Sequence, residues 1–118
     1  MTINYDQLDE ETKKKIQNLS ALSQSLEFLT QQKIQLDATL RETELAIESL
    51  VEATPDTVVY KNIGGIMVRS TRDKLLDDKK SLKVTIEMRL KTLQQKLERT
   101  KSSLESLQKS LQADLQNK

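Results

Sequence analysis

The sequence predicts a mainly α-helical fold in which two long helices pair antiparallel as a coiled coil and are joined by one β-hairpin. Helix-breaking residues are confined to the middle of the chain, apolar residues recur at spacings of three and four on either side, and β-prone residues flank a Gly-Gly pair. The 118 residues are 36% hydrophobic, 3% aromatic and 31% charged. This composition disfavours a large globular core.

The first helix is predicted over residues 8–52, which contain neither Pro nor Gly. Steps of three and four from Leu8 to Leu50 mark a coiled-coil seam, because that spacing keeps one stripe of a helix on its partner. The apolar residues at these positions are Leu8, Leu19, Leu22, Leu26, Leu29, Leu36, Leu40, Ile47 and Leu50, and the polar ones are Thr12, Lys15, Lys33 and Thr43.

The second helix is predicted over residues 73–116 with the same spacing. Each helix would be about 65 Å long. A globular domain of this size cannot enclose such a length, so each helix must pack along a partner. Ser70 and Asp73 predict a capping box that opens this helix. The seam positions run Leu76, Lys79, Lys83, Ile86, Leu90, Leu93, Leu97, Thr100, Leu104, Leu107, Leu111 and Asp114. We expect the seam lysines, Lys33 included, to extend their stems along the groove with their charges in water.

Charge favours pairing of the two helices within one chain. Residues 1–52 carry 10 acidic and 5 basic residues, a net charge of −5, whereas residues 73–118 carry 11 basic and 7 acidic residues, a net charge of +4. Single exposed ion pairs contribute about 0–1 kcal/mol, so the asymmetry biases partner choice more than it adds stability. The alternative that these are two solvated faces stays open.

The connector, residues 53–72, is predicted to hold the hairpin. Thr54, Pro55 and Asp56 stop the first helix. The β-branched and aromatic runs on either side of Gly64 and Gly65 predict two strands with a two-residue turn, because both turn positions need positive φ. The resulting register pairs Ile63 with Ile66, Lys61 with Val68 and Val59 with Ser70.

This hairpin is apolar on both faces. One face carries Val59, Ile63, Ile66 and Val68, and the other carries Val58, Tyr60 and Met67. A two-stranded hairpin is marginal in water and its edges are open to pairing. We therefore expect residues 58–68 to mediate subunit assembly, with a hairpin folded down onto the helix ends as the alternative.

The chain ends are predicted to meet as an apolar tip. The tip residues are Ile3, Tyr5, Leu8, Ile16 and Leu19 from the first half and Leu104, Leu107, Leu111 and Leu115 from the second. Exposed apolar groups rimmed by charge can bind many unfolded segments weakly. We expect Ile3, Leu111 and Leu115 to be exposed, while ordinary seam packing is an equal alternative for Leu8, Leu19, Leu104 and Leu107.

Composition argues against an enzyme. The chain has no Cys and no His, so it lacks a thiol nucleophile, a Cys-type zinc site and the commonest general base. Asp77 and Asp78 are adjacent and do not face one another on a helix, and no phosphate-binding loop is present. We expect no catalytic activity, cofactor or metal.

The partners are not expected to be nucleic acid or membrane. The net charge is +1, and the basic run at 13–15 follows an acidic run at 9–11 without interleaved aromatic residues. No apolar stretch approaches the ~18–20 residues of a membrane helix, and no signal peptide is seen. The simplest location is the cytoplasm.

The hairpin sequence from Val58 to Val68, with its core Val59-Tyr60-Lys61-Asn62-Ile63-Gly64, resembles the beta subunit of prefoldin. The stretch 40–44 leading to Thr54-Pro55-Asp56 is also similar to that family. The resemblance covers essentially the whole chain, residues 1–118 as one unit, and a single hairpin is the pattern of beta-type subunits. An archaeal beta subunit and a eukaryotic beta-type paralogue are both compatible with it.

The resemblance implies a hexamer of two alpha-type and four beta-type subunits, whose hairpins join into a β-barrel body carrying six coiled coils. Their tips would hold unfolded polypeptides without nucleotide and pass them to a group II chaperonin. The implied assembly contacts are Val58, Val59, Tyr60, Ile63, Gly64, Gly65, Ile66, Met67 and Val68. The implied client contacts are Leu8, Ile16, Leu19, Leu104, Leu107, Leu111 and Leu115.

The rival hypothesis is a structural coiled-coil scaffold or tether that binds no client. The hairpin discriminates against a parallel version of it, because such a coiled coil would run straight through residues 58–68.

Overall fold

A computed structural model describes residues 4–116. A short 3-10 turn, Tyr5–Gln7, precedes helix α1, Glu10–Glu52. Strands β1, Val59–Ile63, and β2, Ile66–Ser70, then form a two-stranded antiparallel sheet. Helix α2, Arg72–Gln116, follows the sheet. The helices are 43 and 45 residues long. The predicted fold class of two long helices joined by one hairpin is confirmed.

The chain divides into two compact units. The terminal unit comprises residues 4–32 and 93–116 of the described chain, and the hairpin unit comprises residues 33–92. In the terminal unit the start of α1 contacts the end of α2, where Lys15 meets Asp114. In the hairpin unit the end of α1 contacts the start of α2, where Leu50 meets Arg72. The helices are therefore antiparallel within each unit.

The predicted seam is confirmed in both helices, because every position of the three-and-four series is buried or half-buried. Most of the helical residues between these positions are exposed. The buried apolar side chains of the hairpin unit are Leu50, Leu76 and Ile86, and those of the terminal unit are Leu93, Leu97 and Leu111. Each unit thus packs its core as a single line of side chains between two helices.

Helix α1 begins two residues later than predicted. Leu8 is still in an extended conformation, with φ −78° and ψ 153°. Asp9 then acts as the N-cap, since its carboxylate accepts a 2.8 Å hydrogen bond from the backbone N–H of Thr12. Glu10 and Glu11 in the first turn suit the positive end of the helix dipole.

The predicted capping box of Ser70 and Asp73 is wrong. Ser70 stays in β2, opposite Val59, because the strand ladder holds it extended. Thr71 is the N-cap instead, and its hydroxyl accepts a 3.2 Å hydrogen bond from the N–H of Lys74. Helix α2 therefore begins at residue 72 rather than 73.

The predicted stop of α1 at residues 54–56 is confirmed by a turn after Glu52. The N–H of Thr57 donates to the carbonyl of Thr54 at 3.0 Å, and the two hydroxyls lie 2.9 Å apart. A hydrogen bond with the Thr54 side chain, aided by backbone hydrogen bonding, lowers the pKa of Asp56. Pro55 has no N–H with which to continue the helix.

Three polar residues of the seam, Lys33, Thr43 and Lys83, have hydrogen-bond or ion-pair partners. Thr43 is 4% exposed, and its hydroxyl donates to the carbonyl of Thr39 at 2.8 Å. Lys33 and Lys83 are half-buried, as predicted for lysine stems lying along the groove. Their ammonium groups reach Asp37 at 3.0 Å and Glu44 at 3.9 Å.

Replacing Lys33 and Lys83 together by Leu should raise the melting temperature by several degrees. Two half-exposed ion pairs contribute at most about 1 kcal/mol each, whereas burying part of each Leu side chain gains roughly 1–2 kcal/mol. Thermal melting followed by circular dichroism at 222 nm measures the change. Lys80→Leu, at an exposed position, is the control and should give no rise; an equal response in both proteins would contradict the seam assignment.

Candidate functional site

The hairpin has the predicted register. Ile63 pairs with Ile66, Lys61 with Val68 and Val59 with Ser70. The two turn glycines have φ of 56° and 86°, a conformation that disfavours a residue with a side chain. The side-chain oxygen of Asn62 accepts a 3.1 Å hydrogen bond from the N–H of the second glycine and closes the turn.

Both faces of the hairpin are open to solvent. The exposed fractions are 50% for Val58, 54% for Tyr60, 54% for Ile63, 67% for Ile66, 61% for Met67 and 43% for Val68. Val59 is half-buried, and Gly64 and Gly65 are exposed. A hairpin folded down onto the helix ends would bury these side chains, so the structure does not support that alternative. An apolar two-stranded sheet of this exposure is suited to being covered by another chain.

Arg72 clamps the base of the hairpin. Its Nε donates to the carbonyl of Leu50 at 2.7 Å, its Nη2 to the carbonyl of Val51 at 3.1 Å, and its Nη1 to the carboxylate of Asp73 at 2.8 Å. The last carbonyls of a helix lack intrahelical partners, and α1 has no basic residue in its own last turn. The first residue of α2 thus caps the end of α1 with a positive charge at the negative end of the dipole.

This role of Arg72 was not predicted from the sequence. A helix end without a Gly or a basic residue, followed across the connector by an Arg at a helix start, was the available signal. A weaker link joins the hairpin to α2, where Lys61 lies 3.2 Å from Asp78. Both of these side chains are about half exposed, so the pair contributes little stability.

The predicted client-binding residues of the terminal unit lie in or beside the seam. Leu8, Ile16, Leu19, Leu104, Leu107 and Leu115 are half-buried. Leu111 is 8% exposed, so the expected exposure of Leu111 is wrong, because its side chain occupies a seam position against the partner helix. Leu115 is also less exposed than expected, and Ile3 lies outside the described residues.

A polar cluster completes the seam near the chain ends. The ammonium of Lys15 donates to Asp114 at 2.6 Å and to the hydroxyl of Ser110 at 2.8 Å. The hydrogen bond with Asp114 raises the pKa of Lys15, while partial burial opposes that shift. Lys15 and Asp114, two of the polar exceptions in the predicted seam, therefore neutralise each other. Their meeting could not be predicted from the sequence, because it depends on the relative alignment of the two helices.

The segment before α1 also packs within the terminal unit. The ammonium of Lys13 lies 5.6 Å from the ring centroid of Tyr5, within the range of a cation–π contact. The side-chain amide of Gln17 lies 3.4 Å from the Tyr5 hydroxyl, to which it donates. Tyr5 is 41% exposed and lies beside the first turns of α1.

Within residues 4–116, no cluster of three or more Asp and Glu side chains is arranged to hold a metal ion. In the same part of the chain, neither helix has the length and apolarity needed to cross a membrane.

Comparison with known proteins gives consistent matches. The family described as "Prefoldin subunit" matches residues 13–118. The prefoldin subunit beta of Archaeoglobus fulgidus is 36% identical, with 82% of this chain and 87% of the relative covered. That of Methanothrix thermoacetophila is 33% identical, with 92% and 91% covered. The crystal structure of the prefoldin beta subunit from Thermococcus strain KS-1 aligns with a TM-score of 0.79 at 27% identity, covering 89% of this chain and 92% of that one.

Arg72→Ala should lower the free energy of unfolding by about 1–3 kcal/mol, because it leaves helix carbonyls without their charged donor. Arg72→Lys should recover part of the loss, since it keeps the charge without the planar fork. Urea denaturation measured by circular dichroism gives both values. Arg69→Ala, at an exposed strand position, is the matched control; a clamp that contributes nothing would make Arg72→Ala indistinguishable from it.

Proposed function

The chain belongs to the prefoldin family as a beta-type subunit, and from that premise we propose that it is part of an ATP-independent holdase, which binds non-native polypeptides and delivers them to a group II chaperonin. Prefoldin is a family of chaperones rather than enzymes, and membership implies assembly with other prefoldin subunits. The binding of non-native polypeptides, their delivery to the chaperonin and a cytoplasmic location are all parts of this proposal.

The open hairpin is the observation that supports the assembly on which this proposal depends. Six large apolar side chains on its two faces are 43–67% exposed. Fully covering one such side chain gains roughly 1.5–3 kcal/mol, so covering all of them from half exposure gains on the order of 5–10 kcal/mol before the cost of association. A hexamer of two alpha-type and four beta-type subunits, with the hairpins joined into a barrel, would both cover the faces and pair the free edges.

Client binding is assigned to the terminal unit, at Leu8, Ile16, Leu19, Leu104, Leu107, Leu111 and Leu115. Their half-burial, and the near-complete burial of Leu111, mean that a client meets the edges of these side chains, or meets more of them when the helix ends fray. Each contact is then weak. Several subunits acting on one client raise the overall affinity through effective concentration.

Several weak contacts also suit transfer of the client to a chaperonin. A client held at several places can leave one subunit at a time, so no step requires nucleotide hydrolysis. A receiving chaperonin needs to compete with only one weak contact at each step.

Changing Ile63 and Ile66 together to Asp should release subunits from the complex formed with an alpha-type partner. Two carboxylates on one hairpin face would have to be desolvated on assembly. Native mass spectrometry reports the subunit count. Ile34→Asp places the same charge at a helix residue of the hairpin unit that is 57% exposed and should leave the complex intact; a complex of full mass in the hairpin variant would refute assembly through the hairpin.

Removing residues 1–10 and 108–118 should leave the complex assembled but weaken its suppression of client aggregation, because the truncation removes the client contacts Leu8, Leu111 and Leu115. Light scattering of a heat-denatured client measures suppression, and mass measurement confirms assembly. Undiminished suppression after the truncation would show that these three residues take no part in client binding. An intact complex that never suppresses aggregation would favour the scaffold or tether alternative.

A further inference from the structure

One aromatic side chain of the terminal unit lies off the seam and remains open to solvent. Phe28 is 64% exposed, and it and Tyr5 are the most exposed large apolar side chains in the described part of this unit. Tyr5 already contacts Lys13 and Gln17. Because it is mostly exposed, Phe28, the single Phe of the chain, contributes little burial energy to the fold.

Phe28 forms one wall of a groove between α1 and α2. The groove has a volume of about 490 Å³ and is lined on the α1 side by Leu22, Ser25, Phe28 and Leu29. Leu22 and Leu29 are seam residues, and they are half-buried. Ser25 is too small to cover their flank, so the sides of the two leucines form an apolar floor next to the aromatic ring.

The α2 wall of the groove is basic. Lys96 and Arg99 line it together with Thr100 and Ser103. In heptad terms the seam occupies a and d, and the groove lies on the flank formed by c and g. Between residues 14 and 32 of α1 and between residues 96 and 113 of α2, the c and g positions include Lys14, Lys96 and Arg99 and no Asp or Glu.

These three cations have no ion-pair partner within residues 4–116. None of them forms an ion pair with a carboxylate in the part of the chain that the structure describes. The acidic residues of the same stretch, Glu27, Glu98 and Glu105, fall at b positions outside this flank. The flank therefore presents an apolar floor, one exposed aromatic ring and an uncompensated positive rim.

The groove continues along α2. A second groove of about 560 Å³ shares Leu22 and Ser103 with the first and reaches Leu107 and Ser110. From Lys96 to Ser110 a helix rises about 21 Å. That length matches about six residues of extended chain at ~3.3 Å each.

We propose that this surface, which we name the Phe28 groove, binds an extended segment of non-native polypeptide in which apolar side chains stand next to acidic ones. The inference rests on the proposed function and assigns it a recognition surface on one flank of the closed seam. Apolar side chains of the segment pack on Leu22, Leu29 and the Phe28 ring. Its carboxylates pair with the basic rim of Lys96 and Arg99.

This site requires no opening of the coiled coil. The seam leucines are engaged with the partner helix, whereas Phe28 and the basic rim face solvent in the folded unit. Aromatic residues, Phe included, and Arg are enriched in protein interfaces relative to the rest of the surface. A segment of the opposite charge, basic rather than acidic, would be repelled by the same rim.

The test uses the full chain assembled with an alpha-type subunit and fluorescein-labelled octapeptides. One peptide alternates Leu and Asp, a second alternates Leu and Lys, and a third alternates Ser and Asp. Fluorescence anisotropy should show the Leu/Asp peptide binding at least threefold more tightly than the other two. Phe28→Ser should weaken that binding at least threefold, while Ile34→Ser, the matched exposed control, should not.

Reversing the charge of the basic rim distinguishes charge-specific recognition from non-specific hydrophobic binding. Lys96→Glu with Arg99→Glu should weaken binding of the Leu/Asp peptide and strengthen binding of the Leu/Lys peptide. Circular dichroism melting should be unchanged in Phe28→Ser, because the side chain is mostly exposed. The proposed binding site would be refuted if the wild-type complex bound the Leu/Asp and Leu/Lys peptides with equal affinity. Undiminished binding by Phe28→Ser would refute it as well.

The aggregation assay distinguishes this inference from the proposed function. If the wild-type complex suppresses client aggregation but Phe28→Ser binds the Leu/Asp peptide as tightly as wild type, the chaperone function stands and the groove is overturned. If the complex binds the Leu/Asp peptide through Phe28 but does not suppress aggregation, the groove is supported and the holdase proposal is overturned.

Discussion

The antiparallel seam is the constraint on which the remaining structure depends. Two helices of more than forty residues cannot bury enough surface alone, because most helical stability in proteins comes from packing one face. Here that face is a single line of positions in each helix, all of them buried or half-buried. A core this thin leaves every other face of both helices in solvent, and so leaves many side chains available for contact with other chains.

The polar members of the seam define its alignment rather than its strength. Lys15 and Asp114 break the apolar repeat in their own helices and meet at 2.6 Å, and Lys83 approaches Glu44 within the hairpin unit. A shift of one heptad in either unit would separate these partners while keeping leucine opposite leucine. Such pairs select one alignment among several that an all-leucine seam would allow.

Much of this could be predicted from the sequence, because seam spacing and hairpin register are local properties. Gly64 and Gly65 determine which strand residues face each other, and the spacing of leucines determines which helical face is buried. The roles of Arg72 and Phe28 could not be predicted in this way. Both depend on how one helix is placed against the other, as does the burial of Leu111. The prediction for Ser70 was wrong because strand and helix signals overlap there, and the ladder with Val59 prevailed.

The clamp made by Arg72 makes the pairing of the helix ends independent of the length of the connector. Since the end of α1 is already tied to the beginning of α2 at Leu50 and Val51, the residues between them form a closed loop whose length costs little to change. Insertions or a second hairpin could accumulate there without disturbing the helices.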